Sequence, residues 1–281
     1  MILIGLTGWG DHDSLYPDKQ ASKNKLQTYS RHFPIVEIDS SFYAMQPARN
    51  YAKWIEETPE DFSFVVKAYQ GMTGHMRGEI PFESPDEMFA AFKQSIVLLL
   101  EAGKLKTVLF QYPPWFNCQK KNVDMLLYTK EKMGDIPCAI EFRNQTWFEP
   151  HMQEKTLSFM RRANWIHTIC DEPQAGIGSV PAVLQPTHPE LTLVRLHGRN
   201  VHGWINNGQS HWRAVRCLYR YNEAELKEWA NRIQELHKST KEVCVLFNNN
   251  SGGDAADNAK QLMDILHIDY GEEGPEQMQL F

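Results

Sequence analysis

Between residues 138 and 143 the sequence reads Cys-Ala-Ile-Glu-Phe-Arg, a β-rich run with two ionisable side chains near its end. Successive side chains of a strand point to opposite faces of a sheet. If Ile140 and Phe142 face a layer of helices, Glu141 and Arg143 face the other side. An apolar strand with ionisable residues on one face of its carboxyl end is typical of a barrel with its chemistry at that end.

Similar runs occur along the whole chain, and they predict the fold class. The predicted strands cover residues 2–7, 35–39, 62–67, 107–111, 138–143, 165–171, 193–197 and 243–248. Helical patterns lie between most of them, at 48–57, 85–102, 122–133, 152–163 and 223–238, and another follows at 255–266. Eight such units predict an α/β fold, a single-domain (β/α)8 TIM-type barrel. The alternative is an open doubly wound sheet, but the glycines at residues 5–10 do not match its phosphate-binding spacing.

Extending the alternation to all eight strands places a polar set inside the barrel mouth. These residues are Thr7, Glu37, Asp39, Lys67, Gln111, Glu141, Arg143, Asp171, Arg195, His197 and Asn248. A purely structural ion-pair network is one explanation. Because each buried ion costs several kcal/mol before pairing, a functional mouth is the preferred explanation. The predicted catalytic residues are Glu37, Lys67, Glu141, Arg143, Asp171, Arg195 and His197.

Composition excludes several classes of protein. The chain has 281 residues, 42% of them hydrophobic and 23% charged, which does not fit disorder or a fibrous fold. A net charge of −6 excludes a basic nucleic-acid coat protein. The longest aliphatic run, at 96–100, is far too short for a bilayer, and no secretory signal is apparent. The five cysteines show no paired spacing, so we expect reduced thiols in a cytoplasmic protein without a membrane partner.

The loops after the strands carry the predicted ligand-binding residues. Residues 198–222 contain four arginines, no acid and several aromatic rings, which favours an anionic ligand with a flat surface, such as a nucleotide, nucleic-acid strand or phosphosugar. The alternative is that these arginines pair with acids elsewhere. The glycine-rich loop around His75 is a candidate lid. The predicted ligand-binding set is Trp9, Tyr43, His75, Gln111, Trp204, Asn248 and Asn249.

A divalent metal is left open as a cofactor. Glu141, Asp171 and His197 end three successive predicted strands and offer carboxylate and imidazole ligands. Arg143 and Arg195 argue against a metal, because cations beside a metal ion are unfavourable unless they face a substrate phosphate.

Seven motifs together resemble the YecE-like family, also called domain of unknown function 72. They are Gly-Trp-Gly (8–10), Val-Glu-Ile-Asp-Ser-Ser-Phe-Tyr (36–43), Phe-Val-Val-Lys-Ala (64–68), Leu-Phe-Gln-Tyr-Pro-Pro (109–114), Ile-Glu-Phe-Arg-Asn (140–144), Val-Arg-Leu-His-Gly (194–198) and Leu-Phe-Asn-Asn (246–249). The resemblance covers residues 1–268 and implies a TIM-type barrel with no established reaction. It carries over Glu37, Tyr43, Lys67, Gln111, Glu141, Arg143, Arg195, His197 and Asn248 as motif positions, whereas Asp39 replaces the asparagine of the usual pattern.

The end of the sequence carries a separate signal. Residues 271–281 have the composition of a flexible acidic tail after a barrel domain of residues 1–270. The last five residues, Gln-Met-Gln-Leu-Phe, resemble the Gln-x-x-Leu-Phe peptide that binds the bacterial sliding clamp. Leu280 and Phe281 would fill an apolar pocket while Gln277 bonds at its rim. The alternative is that the two apolar residues fold back onto the barrel.

The sequence is compatible with three functions. The first is a phosphodiester- or nucleotide-acting enzyme of DNA metabolism, a hydrolase of the phosphoesterase or nuclease type recruited by the clamp. The second is an enzyme for a small phosphorylated metabolite that uses acid–base chemistry. The third is a non-catalytic module that binds DNA or a nucleotide. In the first, Lys67, Arg143 and Arg195 hold phosphate, Glu141 and Asp171 act as base or metal ligands, and His197 acts as acid.

Overall fold

The computed structural model of the protein describes residues 1–205 and 215–271 and contains a closed barrel of eight parallel strands. Each strand pairs with its neighbours in chain order, and β8 closes the ring against β1. The strands are β1 Ile2–Thr7, β2 Ile35–Ile38, β3 Ser63–Lys67, β4 Leu105–Gln111, β5 Cys138–Glu141, β6 Ile166–Asp171, β7 Leu191–Leu196 and β8 Glu242–Phe247. The predicted (β/α)8 barrel is confirmed, and the open sheet is wrong.

Helices surround the barrel, as the strand–helix alternation predicts. They are α1 Lys19–Lys23, α2 Lys25–Tyr29, α3 Ser40–Tyr43, α4 Ala48–Glu56, α5 Pro85–Ser95, α6 Val97–Glu101, α7 Lys120–Met133, α8 Gln153–Arg162, α9 Val201–Trp204, α10 Glu223–His237 and α11 Ala255–Leu266. The predicted helix at 85–102 is two helices, because the backbone leaves the helical range at Ile96, the first of two adjacent β-branched residues. None of the described helices has both the length and the apolar character to cross a bilayer.

Local sequence explains where the long helices begin. Ser84 accepts a hydrogen bond from the Glu87 N–H, and Pro85 occupies the first position of α5, where its missing N–H is not needed. Asn222 and Glu225 form a capping box at the start of α10, each side chain accepting from the other's backbone N–H.

Two apolar layers position the polar mouth. The larger layer lies between the barrel and the helices and includes Val36, Ile140 and Val194. A smaller cluster fills the barrel interior from every strand: Leu3, Ile35, Val65, Leu109, Ala139, Ile166, Leu191, Leu193, Cys244 and Leu246. Because side chains alternate, the residues two positions further along these strands face inward above this cluster. On seven strands these inward-facing residues are the polar ones that the alternation predicts. On β6 the inward face carries Ile166 and therefore Cys170, so the prediction that Asp171 faces inward is wrong.

The opposite end of the barrel is closed by the chain that follows α11. The hydroxyl of Tyr270 accepts a hydrogen bond from the N–H of Ile4 and donates to the carbonyl of Ile2. Apolar side chains and Tyr270 thus fill the amino-terminal half, and the ionisable groups are concentrated at the carboxyl-terminal end. From residue 272 onward the predicted tail, with Gln277, Leu280 and Phe281, lies outside the described residues.

Candidate functional site

A buried ion-pair network forms the floor of the mouth, with Arg195 at its centre. Its Nε and Nη2 donate to the two carboxylate oxygens of Glu37, at 2.9 and 2.8 Å. Its Nη1 donates to Glu141 Oε2 at 2.6 Å. Glu37 and Glu141 are 0% exposed and Arg195 is 1% exposed. β2, β5 and β7 therefore bring together the three residues that the alternation assigns to them.

The pKa values of the two carboxyl groups in this network are shifted in opposite directions. Burial raises the pKa of Glu37, although Arg195 and Lys67 oppose that shift. Burial would also raise the pKa of Glu141, but Arg195, His197 and Arg143 outweigh it and hold the pKa well below the ordinary value. Glu141 is thus an ionised carboxylate held by three partners.

His197 is a neutral imidazole at physiological pH. Burial lowers its pKa to about 4, even though Glu141 opposes the shift. Asn248 Nδ2 lies 2.8 Å from His197 Nδ1 and donates to it. The ring proton is consequently on Nε2, which lies 3.3 Å from Glu141 Oε1.

Glu172 is a further buried acid beside the floor, outside the set that the strand alternation predicts. Its Oε2 lies 3.2 Å from Arg143 Nε, and its Oε1 accepts the Val180 N–H at 2.6 Å. Burial raises its pKa to about 7, although Arg143 opposes the shift. Glu172 is therefore more easily protonated than an ordinary carboxyl group.

Asp171 does not join this network, and its predicted inward position is wrong. Ile166 points into the barrel, so Cys170 and Glu172 follow on that face and Asp171 points away. Its carboxylate accepts hydrogen bonds from Arg199 Nε, at 2.9 and 3.1 Å, and from the Tyr221 hydroxyl at 2.8 Å. Asp171 therefore anchors the loop after β7.

Because Cys170 and not Asp171 faces the barrel interior, the set of candidate metal ligands also differs from the predicted one. In place of Glu141, Asp171 and His197, the described residues bring Glu141, Cys170 and His197 together, with one ligand atom from each within 4.8 Å of the others. Arg195 and Arg143 occupy both oxygens of Glu141. A divalent ion would have to bind beside these two cations, which disfavours a metal here.

The rim on the β2–β4 side combines an ion pair with aromatic rings. Lys67 Nζ donates to Asp39 Oδ1 at 2.8 Å and lies 4.8 Å from the centre of the Phe42 ring. Burial would raise the pKa of Asp39, but Lys67 outweighs it and lowers that pKa. Burial lowers the pKa of His75 to about 4, with Lys67 and Arg143 adding to the shift. Tyr43 and Trp115 lie exposed on this side.

The loop after β7 covers the floor through Trp204. The Trp204 ring lies 4.4 Å from the guanidinium carbon of Arg143, 4.1 Å from that of Arg216 and 6.0 Å from the His197 ring. Gly198, directly after His197, has a φ of 86°, and a Cβ there would lie 2.5 Å from Tyr219. Only glycine fits this turn without strain.

Two of the four arginines predicted to bind an anion are paired with acids instead. Arg199 contacts Asp171, Glu225 and Glu228. Arg220 contacts Asp254 at 2.7 Å and Asp257 at 3.6 Å. Arg213 lies outside the described residues. At Arg199 and Arg220 the positive charge of this loop is therefore used in ion pairs that hold the fold together.

The remaining predicted ligand-binding residues have different environments. Gln111 pairs in register with Glu141 and is half-buried at the mouth. Trp9 packs edge-on against Trp54 of α4, with ring centres 5.2 Å apart, so the structure does not bring it to the floor. Asn249 is buried, and its Nδ2 donates to the Tyr219 carbonyl and to Asn258. These two bonds give Asn249 a structural role.

Glu172, Cys170, Phe42 and Trp115 were missed, for identifiable reasons. Trp165, just before β6, and Ile169 on β6 both pack against the helices. If these two residues are taken as the outward-facing positions, the alternation predicts that Cys170 and Glu172 face inward. Phe42 lies in the four-residue helix α3 and Trp115 in the loop after β4, and neither segment is long enough for a periodic pattern to indicate which way a ring points.

A family model described as "Protein of unknown function DUF72" matches residues 3–279. The chain is 62% identical over 282 residues to the UPF0759 protein YunF of Bacillus subtilis, and the match covers 100% of both proteins.

Two solved structures show the same architecture. A DUF72 family protein (EF0366) from Enterococcus faecalis has a TM-score of 0.91 and 38% identity, with 96% of this chain and 97% of that chain covered. A DUF72 family protein (TM1631) from Thermotoga maritima has a TM-score of 0.81 and 29% identity, with 95% and 100% covered. The descriptions of these relatives name no reaction.

Proposed function

The chain belongs to the family described as protein of unknown function DUF72, and we propose that its barrel mouth is the active site of an enzyme that acts on a phosphodiester or a nucleotide. The proposal is supported by one juxtaposition: cations with unused donors lie beside Glu172, a buried acid whose pKa burial raises to about 7. Anion binding and proton transfer are the two requirements of phosphoester chemistry.

Lys67 and Arg143 are the cations that have donors to spare. Arg143 is 2% exposed, and its Nη2 has no hydrogen-bond partner among the described residues. Lys67 makes one hydrogen bond, to Asp39, and its ammonium carries three donors. Arg195, in contrast, already donates from each of its three nitrogens to Glu37 or Glu141. We therefore assign anion binding to Lys67 and Arg143, and a positioning role to Arg195.

Glu172 is the proposed acid–base group. An anion held by Arg143 comes close to Glu172, because Arg143 Nε lies 3.2 Å from its carboxylate. A carboxyl group with a pKa of about 7 can take a proton from an attacking water or give one to a leaving oxygen at neutral pH. His197 can donate a hydrogen bond through its Nε2–H, whose nitrogen lies 3.3 Å from the ionised Glu141. Its neutral ring does not supply a proton at neutral pH, so we do not assign it the role of acid.

Replacing Lys67 with glutamine is expected to weaken binding of inorganic pyrophosphate about tenfold, because a charge-assisted hydrogen bond to the anion is lost. Isothermal titration calorimetry at fixed low salt measures this change. Lys106→Gln is the matched control, since Lys106 pairs with Glu242 at 2.7 Å with similar side-chain exposure. Absence of pyrophosphate binding to the wild type, or equal weakening by Lys106→Gln, would contradict the proposal.

An enzyme for a small phosphorylated metabolite is the second candidate. It is favoured by the enclosure of the floor, where Arg143, Arg195 and His197 are at most 2% exposed and Trp204 lies over Arg143. Stabilisation of the protein against heat by phosphosugars, without stabilisation by oligonucleotides, would favour this candidate over an enzyme of DNA metabolism.

We further propose, from the sequence of residues 277–281 alone, that the tail binds the sliding clamp in the cytoplasm. Substituting Leu280 and Phe281 by alanine is expected to abolish capture of the full-length protein by immobilised clamp, because two apolar anchors supply most of such binding energy. Gln279→Ala is the control, since the motif leaves that position free. Unchanged capture of the double variant would exclude clamp recruitment through these residues.

A further inference from the structure

The exposed aromatic side chains of this protein are concentrated at one place. Among the residues that the structure describes, aromatic side chains are buried or half-buried except Tyr43 and Trp115, which are 58% and 57% exposed. Tyr43 follows β2 and Trp115 follows β4, so both lie at the carboxyl-terminal end of the barrel. More than half of each side chain is in contact with solvent, and exposed rings that form a contiguous patch commonly mark binding surfaces.

Two further rings connect them into a continuous surface. Phe42 lies 5.2 Å from Tyr43 and 5.1 Å from His75 between ring centres, and His75 lies 5.9 Å from Trp115. Thr73 Oγ1 lies 2.8 Å from His75 Nδ1 and holds that ring in place. We call these four residues, Phe42, Tyr43, His75 and Trp115, the aromatic wall.

Cations flank the aromatic wall and connect it to the proposed phosphate site. Lys67 Nζ lies 4.8 Å from the centre of the Phe42 ring, and the Arg77 guanidinium lies 6.0 Å from that of Trp115. The nearby carboxylate of Asp39 is bound to Lys67. A ligand on the aromatic wall thus meets flat rings and positive charge together.

We infer that the aromatic wall is a stacking subsite for the nucleobase of a phosphorylated ligand whose phosphate binds Lys67 and Arg143. The inference rests on the proposed function and specifies its substrate as a nucleotide or a nucleic-acid strand. A nucleobase presents a π face of the size of these rings, and its phosphate is attached within reach of the flanking cations. Stacking on aromatic side chains is a common way for proteins to hold bases without hydrogen-bonding their edges.

The test compares ligands that differ only in the base. Adenosine 5′-monophosphate is measured against ribose 5-phosphate, and a short single-stranded oligothymidylate against an abasic strand of equal length. Titration calorimetry is expected to show tighter binding of the base-containing member in at least one pair. Trp115→Ala should weaken that member about 5- to 100-fold, and Trp115→Phe should restore most of the loss. Leu127→Ala truncates a similarly exposed side chain on α7 and should have no effect.

The outcomes separate the subsite from the proposed function. If both members of each pair bind equally and Lys67→Gln still weakens all binding, the stacking subsite is contradicted. The proposed phosphate site is then still supported. Base-dependent binding that Trp115→Ala and Tyr43→Ala leave unchanged also contradicts the stacking subsite. If no phosphorylated compound binds, both the subsite and the proposed function are contradicted. Melting temperatures measured beside each titration show that the exposed variants remain folded.

Discussion

Replacing Arg195 with methionine is expected to lower the free energy of unfolding by about 3–5 kcal/mol, the usual cost of breaking a buried ion pair by removing one partner. Arg195 makes three hydrogen bonds to Glu37 and Glu141, both of which are fully buried. Without it, two carboxyl groups lose their main counter-charge in the barrel interior. Urea denaturation at pH 7, followed by tryptophan fluorescence, measures the change.

A second substitution tests the cause of that loss. Adding Glu37→Gln to Arg195→Met should recover part of the lost stability, because it removes one of the uncompensated buried charges. Arg195→Lys should remain destabilised, since an ammonium group cannot reproduce the two-oxygen contact with Glu37. Arg161→Met is the control, because Arg161 and Glu154 form an exposed pair. A loss at Arg195 no larger than that at Arg161 would contradict the structural role given to the network.

The stability of the wild-type protein relative to Glu172→Gln is expected to fall as the pH rises from about 4.5 to about 7. Burial raises the pKa of Glu172 from 4.5 to about 7, so the folded state binds a proton in this range that the unfolded state releases. A shift of this size corresponds to about 3 kcal/mol. The stability that protonated Glu172 contributes is therefore complete at low pH and is lost as the group ionises.

Denaturant unfolding of both proteins between pH 4 and pH 8 measures the difference curve, in which the other titrating groups largely cancel. Glu154→Gln, which replaces an exposed carboxyl group in the same way, is the control for the substitution itself. A flat curve for Glu172→Gln, or one that rises with pH, would show that Glu172 is ionised like a surface acid. It would then no longer qualify as the proposed proton carrier.

The position of Glu172 also explains why the acid–base group was the hardest part of the site to predict. Its pKa depends on complete burial and on Arg143, whose Nε lies 3.2 Å away. Neither distance nor burial can be derived from a sequence that places 28 residues between the two side chains. Asp171, one position earlier, was chosen instead, and the structure places its carboxylate against Arg199 and Tyr221.

What the sequence alone determined about this protein is the closed barrel and most of the inward-facing polar residues, including Glu37, Glu141, Arg195 and His197. Strand alternation is local, and a short stretch such as residues 138–143 carries it completely. The tertiary structure alone decided that Arg195 bridges two glutamates, that Glu172 replaces Asp171 and that Arg199 and Arg220 are paired. It also decided that four rings from three separate segments of the chain form one wall. These features depend on which distant segments meet and how much water they exclude, and both are properties of the folded barrel as a whole.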